Sequence, residues 1–376
     1  MKFLIAPNAL KGSLTAMRAA EVISTALRSA IPQADCLLSP IADGGDGTLD
    51  CLVNGTGGRF FAKNVRGPLP DLRVDARWGA MGDEKTAVIE MAEAAGLRLL
   101  SPPRYNVMKG TTAGVGELIL EAHAKGFRKI IVGLGGSATN DGGMGCCQVL
   151  GAKFFDQEGR PLEGCGENLS TIDRIVFAEK DRILRDTEMV ALSDVKNLLY
   201  GTEGTSFTFA PQKGGTEEQV SLLDAGLRHY SSLIERDLHR FVSAVPGSGA
   251  AGGLGAGLIA FCGARIVSGI DFVLDSVSFD RLLRECDAVI TAEGMVDGQT
   301  LLGKGIEGIA RRARQMHKPL HIFAGRIRGD ASHLAAELGA TSLNEISPPR
   351  ISIDDAMKGA AGFLSESVRR CFSRRP

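Results

Sequence analysis

The sequence predicts an α/β protein in which a doubly wound parallel sheet is joined to a second, inserted α/β domain with a mixed sheet. Short apolar runs alternate with helical patterns at both ends of the 376-residue chain, as in parallel sheets covered by helices. Residues 58–91 instead form apolar or alternating runs between turn signals, as antiparallel or mixed strands do. Glycine-rich loops follow several of the apolar runs, where such sheets bind ligands.

The N-terminal region predicts a strand, a loop, a helix and a second strand. Ser13 or Thr15 can cap the helix, and Pro32 lies just beyond its end near residue 29. The two strands cover residues 2–6 and 37–42. This order is the start of a parallel sheet.

The middle of the chain predicts helices and strands of a different arrangement. After the mixed strands, we expect helices at 114–125 and 217–240 and strands at 129–133 and 189–193. No charged residue occurs over 241–264, but Pro246 and seven glycines favour a turn that leads into a buried helix over a membrane span.

The last hundred residues return to simple alternation of strands and helices. We expect strands at 288–291, 319–324 and 341–346, and helices at 304–316, 331–338 and 354–370. The two ends of the chain therefore form one sheet, with residues 1–55 and 283–376 as a discontinuous domain and 56–282 as the insertion.

Composition excludes several classes of protein. Lys and Arg number 43 against 44 Asp and Glu, so the net charge of −1 disfavours a nucleic-acid or membrane-surface protein. The eight cysteines lie in apolar stretches and form no C-x-x-C pair, which indicates reduced core cysteines. The histidines show no metal-ligand spacing, and the N-terminus has no signal-peptide pattern, so we expect a cytoplasmic protein.

The first two strands each lead into a loop with polar side chains. Lys11, in the loop 7–13, lies before a helix N-terminus, where backbone N–H groups and a lysine suit a phosphate or carboxylate. Asp43 and Asp46 lie among three glycines in the second loop, a pattern that suits Mg²⁺ or hydroxyl groups. A solvated lysine and an aspartate-rich turn are the plain alternatives.

Two later loops also carry candidate residues. The loop 135–143 combines four glycines with Ser137, Thr139 and Asn140, and is the best candidate for holding a phosphate. Glu293 and Asp297 place acids near the end of a later strand. Asp194 closes the strand over 189–193, although a surface turn explains it equally well.

Familiar motifs of other enzyme classes do not fit. The sequence G-x-x-x-x-G-K at 298–304 lacks the Ser or Thr that a phosphate-binding P-loop needs at residue 305. The glycines 247, 249 and 252 have dinucleotide spacing, but no strand precedes them. A pocket of carboxylates, lysines and glycine-rich loops is what remains, and it suits phosphoryl transfer.

Eight segments in order resemble the bacterial type I glycerate kinase family. They are IAPNALKGSLTA, IADGGDGT, VIEMAEAAGL, TTAGVGELI, GLGGSATNDGG, FAPQKG, PGSGAAGGLGAG and ITAEGMVDGQTLLGK. The resemblance implies ATP-dependent phosphorylation of D-glycerate, generally to 2-phosphoglycerate. It also implies a flavodoxin-like domain, a second α/β domain and an active site in the cleft between them.

The resemblance also implies roles for individual residues. Asp194 or Asp43 would orient or deprotonate the attacking hydroxyl, with Asp194 preferred, and Lys11 would act beside them. Glu293 and Asp297 would hold Mg²⁺ with the nucleotide. The remaining candidate residues would bind substrate or phosphate: Asn8, Ser137, Thr139, Asn140, Asp141, Lys213 and Lys304.

The chain departs from the family pattern at several positions. Asn8 stands where the family usually has Asp, Ala292 replaces a glycine, and Met295 replaces an arginine. Leu198 and Leu199 follow Asn197 where Pro-Leu is usual. These changes leave open a shifted substrate or weak activity.

The leading hypothesis is a cytoplasmic kinase that uses ATP and Mg²⁺ to phosphorylate D-glycerate. A sensor that binds glycerate or nucleotide without turnover is the alternative suggested by Asn8 and Met295. An NAD(P)-dependent oxidoreductase is a weaker alternative. A homodimer stays open, and no nucleic-acid or membrane partner is expected.

Overall fold

The computed structural model describes residues 1–178, 184–298, 300–302 and 305–373. The chain divides into two compact units. The first unit comprises Met1–Asp43, Asp50–Gly55 and Ile270–Pro376, and the second comprises Gly44–Leu49 and Thr56–Gly269. The domain limits expected from the sequence, at residues 55 and 282, stay a prediction.

The first unit contains a five-stranded sheet in which every neighbouring pair is parallel. In chain order its strands are β1 (Lys2–Ile5), β2 (Asp35–Leu38), β11 (Ala288–Val296), β12 (Leu320–Ile327) and β13 (Ser342–Glu345). Their spatial order is β2-β1-β11-β12-β13, which is the flavodoxin-like order of a doubly wound sheet. The predicted fold class of this part is confirmed.

Helices cover this sheet because its strands are apolar on both faces. Phe3 and Ile5 of β1 pack into a cluster with one set of helices, while Leu4 between them is fully buried on the opposite face. The helices are α1 (Ala16–Ala30), α9 (Gly269–Ser276), α10 (Phe279–Glu285), α11 (Gly305–Gln315), α12 (Ala331–Leu338), α13 (Ile353–Lys358) and α14 (Ala360–Ser373). The predicted cap of α1 is Thr15, whose side chain accepts from the Arg18 N–H.

The second unit contains a six-stranded mixed sheet, as predicted. Its strands are β3 (Arg59–Arg66), β4 (Arg73–Ala80), β5 (Thr86–Glu90), β6 (Lys129–Gly133), β9 (Glu188–Leu192) and β10 (Arg265–Val267). Strands β3, β4 and β5 pair antiparallel, whereas β5, β6, β9 and β10 pair parallel in that order. The sequence did not reveal β10, nor the short hairpin of β7 (Lys153–Phe155) and β8 (Arg174–Val176).

The helices of the second unit pack on two apolar clusters. They are α3 (Ala92–Ala95), α4 (Ala113–Ala124), α5 (Met144–Val149), α6 (Thr205–Phe209), α7 (Glu217–Leu238) and α8 (Leu254–Cys262), while α2 (Thr48–Thr56) includes residues of both units. Helix α7 begins with a reciprocal capping box between Thr216 and Gln219. Helix α8 is the buried helix expected after the glycine-rich turn.

None of the helices within the described ranges is both long and apolar enough to cross a membrane. None of the eight cysteines, all of which lie within the described ranges, forms a disulfide.

Candidate functional site

Four parallel strands of the second unit end along one edge of its sheet. Glu90 of β5 is in register with Gly133 of β6, which is in register with Leu192 of β9. Leu192 is in register with Val267 of β10. The residues that follow these positions therefore meet at one edge, which is where α/β sheets bind ligands.

The loop 135–143 follows β6 at this edge and is held close to another glycine-rich segment. The Gly135 N–H donates to the Gly44 carbonyl at 3.0 Å. A Cβ on Gly135 would lie 2.3 Å from the Gly45 Cα, so only glycine permits this approach. Gly136 has φ +75°, a left-handed conformation that also favours glycine.

Lys213 lies beneath this loop and holds two of its oxygens. Its Nζ donates to the Ser137 Oγ at 2.8 Å and to the Thr139 carbonyl at 2.7 Å. Lys213 is only 1% exposed, whereas Ser137 is half-buried. Burial lowers the pKa of Lys213 to about 7, and the nearby Asp141 acts in the opposite direction.

Asp141 is fully buried and serves as an acceptor for four donors. Its Oδ2 accepts from the Thr112 N–H, the Thr112 hydroxyl and the Gly145 N–H at 2.7–3.1 Å, and its Oδ1 accepts from the Gly143 N–H. Burial raises the pKa of this carboxyl above its usual range, while these hydrogen bonds oppose the rise. Asp141 therefore ties the loop to the start of α4 and α5.

Thr139 and Asn140 are also fully buried. The Asn140 Nδ2 donates to the Ser206 Oγ at 3.1 Å, and the Gly142 N–H donates to the Gly252 carbonyl at 2.9 Å. Ser137 is thus the accessible polar side chain of the predicted anion-binding group, and the ligand-binding roles of the other three stay predictions.

Asp194 follows β9 at the same edge, as the sequence predicts. Its Oδ1 accepts from the Ser268 hydroxyl at 2.9 Å and from the Gly269 N–H at 2.8 Å. Since Gly269 is the first residue of α9, the carboxylate is fixed at a helix N-terminus. Its catalytic role stays a prediction.

Glu90 is a candidate functional residue that sequence reasoning missed. It ends β5, is 3% exposed, and its Oε2 accepts from the Gly47 and Leu49 N–H groups at 3.0 and 3.2 Å. Burial raises the pKa of Glu90 to about 7, and the Asp46 charge adds to the rise. The Arg98 Nη2 lies 4.0 Å from the Glu90 Oε1. The sequence signal that could have identified Glu90 is an acidic residue at the end of an apolar strand.

In the first unit, the strand order reverses between β1 and β11, and predicted residues follow both strands. Asn8 is buried: its N–H donates to the Ala292 carbonyl at 2.9 Å, and its side-chain oxygen accepts from the Ala9 N–H at 2.8 Å. Lys11 is exposed in the same loop. Glu293 lies within β11, in register with Ala324 of β12, and is half-buried.

The remaining predicted residues of the first unit are less informative. Asp297 is half-buried and closes a turn, where its Oδ1 accepts from the Thr300 N–H at 3.3 Å. Asp43 is half-buried beyond β2. Lys304 lies outside the described residues.

The structure bears on the metal and dinucleotide hypotheses. Among the described residues, no group of three or more His, Cys, Asp or Glu side chains is placed to hold a metal ion. The glycines 247, 249 and 252 follow a turn and a 3₁₀ helix includes the last of them, so the strand that a dinucleotide site requires is not there.

Comparison with known proteins identifies the family. The Glycerate kinase family matches residues 3–374. Glycerate 2-kinase of Escherichia coli is 40% identical over 98% of this chain and 96% of its own length. Glycerate kinase of Halalkalibacterium halodurans is 39% identical over 97% and 96%.

A solved structure is similar over nearly the whole chain. The crystal structure of a Salmonella typhimurium LT2 protein assigned as glycerate kinase 2 superposes with a TM-score of 0.82 at 40% identity, covering 99% of this chain and 97% of that chain. The resemblance expected from the eight motifs is confirmed. The chain belongs to the glycerate kinase family and is an enzyme of the kinase class.

Proposed function

We propose that this chain phosphorylates D-glycerate with ATP and that the product is 2-phospho-D-glycerate. Family membership supports the kinase reaction, and the name of the Escherichia coli relative supports the position of the phosphate. The observation that carries the proposal is the loop 135–143, in which buried Lys213 supports Ser137 at a strand end.

Phosphoryl transfer depends mainly on holding the anionic reactants in line. In the second unit, Ser137 supplies a hydroxyl at the half-buried surface of a rigid glycine-rich loop. In the first unit, Lys11 is exposed beyond β1 and can reach a phosphate or carboxylate. We assign substrate and phosphate binding to these two positions.

We propose Asp194 as the group that orients or deprotonates the attacking hydroxyl, with Asp43 as the alternative. Ser268 and Gly269 hold the Asp194 carboxylate in one orientation, which is what a general base requires. A carboxylate is a hydrogen-bond acceptor, so this group is suited to accept a hydrogen bond from a substrate hydroxyl.

We also propose that Mg²⁺ takes part. In proteins Mg²⁺ commonly keeps several waters and takes one or two carboxylates together with substrate phosphates, so an incomplete set of protein ligands fits it. Glu293 and Asp297, near the end of β11, are the carboxylates that would hold it. When bound, the ion neutralises charge on the phosphates.

Asn8 is the observation that favours a second candidate, a sensor that binds ligand without turnover. Its side chain is buried and serves its own loop through the bond to the Ala9 N–H. An aspartate could make the same bond. Because the Asn8 side chain is buried and bonded within its own loop, we assign it a structural role there. Its difference from the usual aspartate therefore does not argue against catalysis, and we keep the kinase as the leading proposal.

We further propose a cytoplasmic enzyme whose partners are ATP and D-glycerate. A homodimer is proposed only as a state to be tested by light scattering.

The test is turnover of the purified chain with Mg-ATP and D-glycerate, with ADP release coupled to a readout and the product identified by NMR. We expect 2-phospho-D-glycerate. Product phosphorylated at the other hydroxyl would overturn the regiochemistry alone, and ligand binding without ADP release would favour the sensor.

Asp194→Asn tests the proposed base in the same assay. A general base contributes about 10²–10⁴-fold, so we expect a loss of kcat in that range. Ser268→Ala is the matched control because it removes one donor to Asp194 and keeps the carboxylate. Nearly full turnover of Asp194→Asn would exclude the role.

A further inference from the structure

Lys213 is a lysine with no carboxylate in hydrogen-bond contact within the described residues. Its Nζ is held by a hydroxyl and a backbone carbonyl, at 2.8 and 2.7 Å. Asp141, in the loop 135–143, is the charged group that acts on it at longer range, and the uncharged Tyr105 packs on its neighbour Gly214. The ammonium cannot contact a ligand directly because the residue is 1% exposed.

The bond to Ser137 determines what that serine can do. An ammonium group is only a donor, so the Ser137 Oγ accepts from it. The hydroxyl proton of Ser137 is then left for another acceptor, and among the described residues the structure places none within bonding distance of it. Ser137 is half-buried, so this proton is available to a ligand.

A neutral amine permits the reverse arrangement. Its lone pair can accept the Ser137 hydroxyl proton, which turns that proton inward, although its two N–H groups can still donate. The ammonium form of Lys213 thus keeps Ser137 as a donor toward a ligand, whereas the neutral form does not.

We propose that Lys213 is a positioning residue that acts through Ser137: an anionic oxygen of the substrate binds the Ser137 hydroxyl, and Lys213 takes up a proton as the anion binds. The nature of the anion, the carboxylate of D-glycerate or a phosphate of the nucleotide, rests on the proposed function. The positioning through Ser137 rests on the geometry of the pair, and the burial of Lys213 supports the proton uptake.

The physical basis is the effect of a nearby anion on a buried base. Burial holds the pKa of Lys213 at about 7 in the free protein. A negative charge beyond Ser137 favours the ammonium form and raises this pKa. At pH 8 the free amine is mostly neutral, so uptake of roughly 0.5–1 proton per bound anion is expected.

The experiment is isothermal titration calorimetry at pH 8 in two buffers of different ionisation enthalpy. The titrants are D-glycerate, ADP and sodium sulfate, in separate runs. The difference in heat between buffers measures the protons taken up. We expect uptake with at least one titrant for the wild-type chain.

Three variants separate positioning from a merely structural role. Lys213→Met removes the titrating group, so anion affinity falls about tenfold or more and uptake disappears. Lys213→Arg keeps a permanent charge, so binding persists without uptake. Ser137→Ala weakens binding by a similar factor but leaves a lysine that still titrates. Thermal unfolding of each variant checks its folding.

Lys125→Met is the control, because Lys125 is an exposed lysine of the same unit and its replacement leaves uptake unchanged. Uptake with sulfate, while neither D-glycerate nor ADP binds, would retain the pair and overturn the proposed function. Binding without uptake by every titrant that binds, equal uptake by Lys213→Arg and wild type, or no binding of any of the three would overturn the inference.

Discussion

The two units of this chain each place a lysine near a loop that follows a parallel strand, but in opposite environments. Lys11 of the first unit is exposed. Lys213 of the second unit is 1% exposed beneath the loop 135–143, among Asp141 and other fully buried polar residues. The same residue type can therefore contact an anion directly in one unit and act through a serine in the other. The two lysines differ in their burial, which sequence motifs do not show.

The comparison implies that the second unit depends strongly on its buried polar groups. Asp141→Ala would leave donors of Thr112, Gly143 and Gly145 without their acceptor. We expect a loss of about 3–5 kcal/mol in the free energy of unfolding, measured with denaturant. Asp141→Asn keeps one acceptor oxygen and should cost only about 1–2 kcal/mol. Equal, small losses for both would show that these bonds contribute little.

Close packing of the buried loop provides a second test. Gly252 has φ +67°, and a Cβ there would lie 2.0 Å from the Thr139 carbonyl oxygen. We expect Gly252→Ala to lower stability by about 2–4 kcal/mol and to weaken anion binding, because it displaces the carbonyl that Lys213 holds.

Gly263→Ala is the matched control for this prediction. Gly263 has nearly the same backbone conformation, φ +65°, but nothing within 4 Å of its Cβ position. Gly263→Ala should therefore lower the free energy of unfolding by only about 1–2 kcal/mol, from backbone strain. Similar losses for the two variants in thermal unfolding would mean that contact with Thr139 is unimportant.

The pH dependence of stability tests the two buried ionisable groups of the second unit, Glu90 and Lys213. The pKa of Glu90 rises from 4.5 to about 7 on folding, so the folded chain binds more protons and stability falls as pH rises through this interval. The pKa of Lys213 falls from 10.5 to about 7, so the folded chain binds fewer protons and stability rises between pH 7 and 10.5.

Glu90→Gln should flatten the lower interval and Lys213→Met the upper one, each by up to about 1.4 kcal/mol per pH unit in denaturant unfolding. Lys11→Met, at the exposed lysine, serves as the control and should leave the profile nearly unchanged. If Lys11→Met changed the profile as much as Lys213→Met, the contrast between the two lysines would fail.

The sequence predicted the elements whose patterns are local and periodic. The parallel sheet, the mixed sheet and the capped helix α1 follow from apolar runs and a capping residue in the sequence, and the polar helix α7 was also predicted, without its capping box. Strand β10 is three residues long, and its pairing with β9 depends on contacts far apart in sequence. The sequence pattern of residues 265–267 alone therefore could not predict this strand.

The candidate site was predicted in its residues more than in its geometry. Ser137 and Lys213 were both expected near an anion. Their direct hydrogen bond joins positions 76 residues apart, and no sequence motif predicts a contact at that separation. Glu90 was missed because an acid at the end of a strand has many plain explanations. Which side chains are buried depends on segments such as Gly44 and Gly252 that pack across the loop.

The sheet of the first unit combines strands from both ends of the chain, and this order has a consequence during synthesis. Strand β1 pairs with β11, and the Thr291 hydroxyl donates to the Ala6 carbonyl across a separation of 285 residues. The sheet of the second unit, by contrast, is complete once residue 267 is made. During translation the second unit can fold while β1 has only β2 as a partner, so the other edge of this apolar strand stays unpaired and open to aggregation until β11 has been made.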